Sequence, residues 1–172
     1  AIYPGMTHLD FTGPHQFLSR LPGSETIVAS PAGGNVEADG LTFGNTVRIA
    51  DVRSCDLICV PGGINATKVA QDQSFTAEIR RLGLSARYIT SVCTGSLILG
   101  AAGLLRGRRA ACHWAFAELL PIFGAIAFAL CAGAISKRSA TSAPASISRM
   151  STRAVPATSS LACGESVPRS EE

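Results

Sequence analysis

Aromatic side chains make up only 6% of this sequence and charged ones only 16%, with a net excess of +3. So slight a positive balance excludes a protein built around the nucleic-acid backbone or an anionic membrane surface. The six cysteines include no Cys-x-x-Cys pair and no Cys/His cluster at metal-ligand spacing. A disulfide framework and a metal site are therefore not expected, and no cofactor is signalled. No apolar run reaches the length of a membrane span without Gly, Pro or charge interrupting it. With no secretory leader in view, a reducing cytoplasm is the expected compartment. Aspartate is missing after Asp72, and aromatics are missing after Phe128. What remains, 47% hydrophobic residues in a chain of 172, suits one globular domain with a sizeable core.

Strand and helix signals alternate along the first three quarters. Ala1-Ile2-Tyr3 reads as the tail of a strand whose beginning lies outside the sequence, because Pro4-Gly5 turns the chain at once. Pro14 is placed for the first turn of a helix reaching about Ser19. Glu25 to Ser30 reads as a strand, and Asp39-Gly40 as a hairpin turn between two more within Val36 to Phe43. Cys55 to Val60 is a continuous apolar strand stopped by Pro61-Gly62-Gly63, with Cys55 and Cys59 on one face as core residues. From Thr67 to Leu82 the helical period places Val69, Phe75, Ile79 and Leu82 inward. Arg106 to Arg109 is a solvated loop, a short strand runs through Cys112, and Trp114 to Leu120 is a helical turn or two closed by Pro121. This alternation predicts an α/β sandwich of three layers around a mostly parallel sheet, flavodoxin-like. Sites in such sheets lie beyond the carboxyl ends of strands, where Asp10, Gly62-Gly63 and Cys93 all fall.

The chemistry concentrates at Cys93. Tyr88 to Val92 is short, β-branched and apolar, a buried strand; Ser96 to Leu105 is rich in Leu, Ala and Gly, a buried helix. Between them only a tight turn fits, the arrangement of a nucleophile elbow with Cys in place of Ser. Amides at the start of the helix favour thiolate, so the pKa of Cys93 is expected to fall. A lone cysteine is more often inert core, and the elbow reverses that preference.

Leu9-Asp10-Phe11-Thr12-Gly13-Pro14, Leu57-Ile58-Cys59-Val60-Pro61-Gly62-Gly63, and the run from Ser91-Val92-Cys93-Thr94-Gly95-Ser96 through His113-Trp114-Ala115 to Glu118-Leu119-Leu120 resemble the ThiJ/PfpI superfamily, the class I glutamine-amidotransferase-like fold. Within it the motifs are most similar to the isocyanide (isonitrile) hydratases. The resemblance covers residues 1–126, and it implies a hydro-lyase that adds water to an isocyanide to give an N-substituted formamide. It also implies a homodimer without metal or organic cofactor. Carried over by position, Cys93 matches the nucleophile, Asp10 its acidic partner and Thr94 the residue after the nucleophile. Gly62 and Gly63 would supply backbone at the substrate, their amides and that of Thr94 steadying negative charge.

Each assignment has a plainer rival. Asp10 reads equally as a helix cap, Gly62-Gly63 as strand-ending turn chemistry, and His113, beside Trp114, as a hydrogen-bonded structural residue near the site. Thr94 stands where the protease-type branch has His, which argues against a peptidase. Two other functions stay open: a ligand-sensing domain like those of AraC-type transcription regulators, and a stress protein whose Cys93 oxidises.

Residues 127–172 do not follow the resemblance, and their Ser-, Ala-, Thr-, Arg- and Pro-rich composition predicts a disordered or poorly packed tail. Yet Thr141 to Arg149 can be recoded. Joining each codon's third base to the next two gives Val-Ser-Ala-Gly-Ile-Asp-Phe-Ala, like a family motif that opens a long helix. A frameshifted tail is therefore expected, with activity impaired.

Overall fold

The structure is a computed structural model, and it describes residues 1–128. The elements are α1 (His8–Leu18), β1 (Ala29–Ser30), β2 (Gly34–Ala38), β3 (Leu41–Arg48), β4 (Leu57–Val60), α2 (Ala66–Val69), α3 (Gln73–Ser85), β5 (Tyr88–Ser91), α4 (Gly95–Ala101), β6 (Arg109–Ala110) and β7 (Ile126–Ala127). Three-residue and ten-residue 3-10 stretches cover Ile49–Asp51 and Trp114–Phe123. The expected tail and its recoded segment lie outside the described residues.

The α/β architecture is the one the alternation implies. β1 pairs with β3, β4 with β5 and β6 with β7, all parallel, and the β2–β3 hairpin is antiparallel. Residues 1–3 run between β1 and β4: the Ala1 amine donates to Cys59 C=O at 2.8 Å and Ile2 N–H to Ala29 C=O at 2.7 Å. Ile2 and Tyr3 are buried there, in a core with Val60, Phe75, Ile79, Leu97 and Ile98. At the hairpin, Asp39 (φ 50°) and Gly40 (φ 75°) both take positive φ, the geometry whose twist matches paired antiparallel strands.

Several boundaries differ from expectation for local reasons. α1 starts at His8, six residues ahead of Pro14, which sits inside the helix and leaves Asp10 C=O without its intrahelical donor. Only Ala29 and Ser30 of the segment from Glu25 join a ladder; residues 25–27 are exposed beside a cavity. The long helix from Thr67 is two helices, because the Asp72 carboxylate accepts from Ser74 N–H (2.9 Å) and Phe75 N–H (3.1 Å) and so caps a new start. Phe75, Ile79 and Leu82 do face inward, each burial stabilising by about 1.5–3 kcal/mol. α4 ends at Ala101, ahead of Gly103 (φ 74°), and Pro121 lies within its 3-10 stretch, which Gly124 closes.

Candidate active site

β5 ends at Ser91 and α4 begins at Gly95, so Val92, Cys93 and Thr94 make the whole turn. Cys93 adopts φ 54°, a left-handed conformation that a side chain rarely takes without surrounding structure to enforce it. Three contacts hold it: His113 N–H donates to Cys93 C=O at 3.3 Å, Ser96 Oγ to the same oxygen at 3.4 Å, and Gly95 N–H to Val92 C=O at 2.9 Å. The turn also fits between two glycines. A Cβ on Gly95 would strike Val60 C=O, and one on Gly62 would lie 2.5 Å from Thr94 N and 2.8 Å from Cys93 Cβ. Both close approaches need hydrogen in place of a side chain.

Thr94, buried, locks the elbow to the neighbouring loop: its Oγ1 accepts from Gly63 N–H at 2.9 Å and lies 3.1 Å from Gly63 C=O. The Gly63 amide is thus engaged and does not present a free donor, a correction to the expected pair of glycine amides. Gly62 N–H donates to no group among the described residues, while Gly62 C=O accepts from Thr7 N–H at 2.9 Å at the start of α1.

α1 carries Asp10 to this loop. Its Oδ2 is buried with no hydrogen-bond partner among the described residues. The Cys93 thiol is its neighbour: burial pushes the thiol pKa up, and Asp10 adds to the rise both as a charge and as a hydrogen-bonding group, though no well-aligned bond closes between them. The Thr94 amide and hydroxyl pull the other way. The net direction is upward, so the expected fall does not occur. α4 is only seven residues long, and its amides do not outweigh desolvation and a facing carboxyl.

Tyr3 borders the pair, a residue that sequence patterning passed over. Its hydroxyl donates to Pro61 C=O at 3.0 Å, and burial, then the charges of Asp10 and Cys93, drive its pKa upward. Only its place before a Pro-Gly turn hinted at it. His113 touches the elbow through its backbone; its Nδ1 accepts from Ala115 N–H at 3.3 Å, so its side chain caps the following 3-10 stretch. A cavity of about 460 Å³ is lined by Asp10, Phe11, Pro14, Cys55, Cys59 and Pro61 but not by Cys93 or Thr94. Cys55 and Cys59 are accordingly half-buried cavity walls rather than close-packed core.

Residues 1–129 match the DJ-1/PfpI family. The chain belongs to it. The match to this family spans the elbow, the Gly62 loop and α1 alike. Among DJ-1/PfpI relatives, an isonitrile hydratase of Pseudomonas putida is 43% identical over 126 residues, 73% of this chain and 55% of that protein. The transcriptional regulator GlxA of Rhizobium meliloti, of the helix-turn-helix type, is 29% identical over 67% of this chain and 37% of its own length. In three dimensions, a ThiJ/PfpI family protein from Pseudomonas syringae superposes with a TM-score of 0.71 at 39% identity, covering 74% of this chain and 54% of that one. The chain thus spans about half the length of the hydratase and of the Pseudomonas syringae protein. No helix among the described residues is long and apolar enough to cross a membrane.

Proposed function

We propose that the chain carries the nucleophilic half of an isocyanide hydratase site, with Cys93 as nucleophile and Asp10 as the acid and base that serves it. The observation that carries this is the juxtaposition of a strained elbow thiol with a buried carboxyl oxygen that has no partner among the described residues. A buried acceptor left unsatisfied costs about 1–3 kcal/mol, and a substrate or water hydrogen-bonded there relieves it. The 43% identity to an isonitrile hydratase supports the substrate class.

Because the thiol is held protonated, the first step is concerted with proton transfer. The Cys93 sulfur forms a bond to the terminal carbon of the isocyanide while Asp10 takes the thiol proton, then delivers it to that carbon, giving a thioimidate. Water adds to the thioimidate carbon with Asp10 accepting a water proton and returning it to nitrogen. The carbon–sulfur bond then breaks, the hydroxyl proton goes to sulfur, and a formamide leaves. The Thr94 amide and hydroxyl favour the thiolate as it develops, and Thr94 Oγ1 with Gly63 fixes the spacing of the two loops. A homodimer and a cytoplasmic setting belong to this reading.

Formamide production from a simple alkyl isocyanide tests it. Cys93→Ala and Asp10→Asn should each lower the rate by at least about a hundredfold. A rate the same in all three chains removes the assignment. The 29% identity to a transcriptional regulator favours a second reading, a sensing domain; such a domain would bind a small ligand beside Cys93 without turning it over.

A further inference from the structure

α1 brings Asp10 to the sulfur, yet apart from Phe11, which packs against the core and edge-on to Phe43, little within α1 explains why it stays in place. None of its residues is fully buried, its sequence contains Gly13-Pro14, and its N-cap, Thr7, makes no side-chain capping bond. Proline removes one intrahelical hydrogen bond and glycine weakens the helix further. Two amides at its start are satisfied from outside instead. Thr7 N–H donates to Gly62 C=O at 2.9 Å, and His8 N–H donates to Asp39 Oδ2 at 2.7 Å, across from the tip of the β2–β3 hairpin. The same oxygen lies 3.1 Å from His8 Nδ1. His8 is the first helical residue, so Asp39 does for α1 what its own N-cap does not.

We propose that Asp39 is a positioning residue for the Asp10–Cys93 pair: its carboxylate, presented by the hairpin turn, fixes the first turn of α1 and through it the distance between carboxyl and thiol. This rests on the reading of Asp10 as the partner of Cys93. Two features support it. The hydrogen bonds from His8 hold the Asp39 carboxyl below the usual carboxylate range, so it is the ionised acceptor that caps the helix. The other anchor, Gly62 C=O, belongs to the loop packed against the elbow, so loosening α1 changes its relation to the sulfur rather than to remote surface.

The test removes one bond from each end without straining the backbone. Asp39→Gly deletes the acceptor at a position of positive φ that glycine favours, and Asp39→Asn keeps an acceptor there. His8→Pro deletes the donor, and proline is suited to a first helical position preceded by an extended residue such as Thr7 (φ −77°, ψ 118°). The readout is the pH dependence of Cys93 alkylation, followed on its own peptide by mass spectrometry, in the full chain. Asp39→Gly and His8→Pro should lower the midpoint in the same direction as Asp10→Asn, and neither should shift it further in an Asp10→Asn background. Asp39→Asn should titrate as the parent does. The proposal is overturned if both bond-deleting variants, still folded by circular dichroism, leave the midpoint unmoved, or if their shifts add in full to that of Asp10→Asn. Should Asp39→Gly fail to fold, His8→Pro decides. Where the parent hydrates isocyanides, both variants should lose about tenfold in kcat, as small misplacements of catalytic groups do. Absence of hydration both in the parent and in a chain with the segment after residue 126 restored to its alternative frame defeats the enzymatic reading, while the titration still decides whether Asp39 positions α1.

Discussion

The proposed reactivity of Cys93 rests on geometry rather than on resting charge. Its sulfur sits on a backbone held at φ 54° and its thiol is raised by burial and by Asp10. The two neighbours that act on it oppose one another, which makes them separable. Asp10→Asn removes a negative charge and should bring the Cys93 alkylation midpoint down. Thr94→Val keeps the side-chain shape, removes the hydroxyl that pulls the thiol pKa down, and should move the midpoint up. The same substitution leaves Gly63 N–H without its partner, at a cost of about 1–3 kcal/mol seen in urea unfolding. Shifts of the same sign in both variants would refute this account of the site. The residue types at Cys93, Asp10 and Thr94 were legible because a strand-to-helix turn, a following glycine and a motif around Asp10 all leave marks in the sequence. The roles of Tyr3 and Asp39 at the site were not legible, since they depend on chain segments far from their own.

Among the elements, those closed by side-chain chemistry explain the departures from simple periodicity. The helical pattern through Thr67 to Leu82 continues past Asp72, but a carboxylate that can accept two amides restarts the helix there. Asp72→Ala should therefore destabilise the fold by about 1 kcal/mol, read from the shift of the urea midpoint at unchanged m-value. The elbow depends on a different constraint. Gly62→Ala would press a methyl group against Thr94 and Cys93, so it should lower both stability and the rate of thiol alkylation. Unaltered alkylation in that variant would mean that the two loops are less closely fitted than the contact distances indicate.

At the scale of the whole molecule, the family match stops near residue 129 and the chain spans about half the length of the hydratase it resembles. Trp114, the one tryptophan of the sequence, is 81% exposed, and Ile122 nearby is 74% exposed. Apolar surface of this kind is where further chain or a partner commonly packs. We propose that the segment after about residue 126 is an out-of-frame reading of a family C-terminal third. The encoding DNA should then hold an open alternative frame through codons 141–149. A frame-restored chain should show a blue-shifted Trp114 emission, a higher melting temperature and faster formamide production. A DNA sequence in which stop codons interrupt that frame ends the proposal.

The sequence alone determined the alternation of strands and helices, the hairpin at Asp39-Gly40, the elbow at Cys93 and the family, because period, turn chemistry and motif spacing are properties of neighbouring residues. Tertiary structure decided the rest. It alone set Asp10 against the sulfur, engaged the Gly63 amide with Thr94, and gave His113 a capping role. It also reversed the expected direction of the thiol pKa, since desolvation and a facing charge arise only when distant segments are packed together.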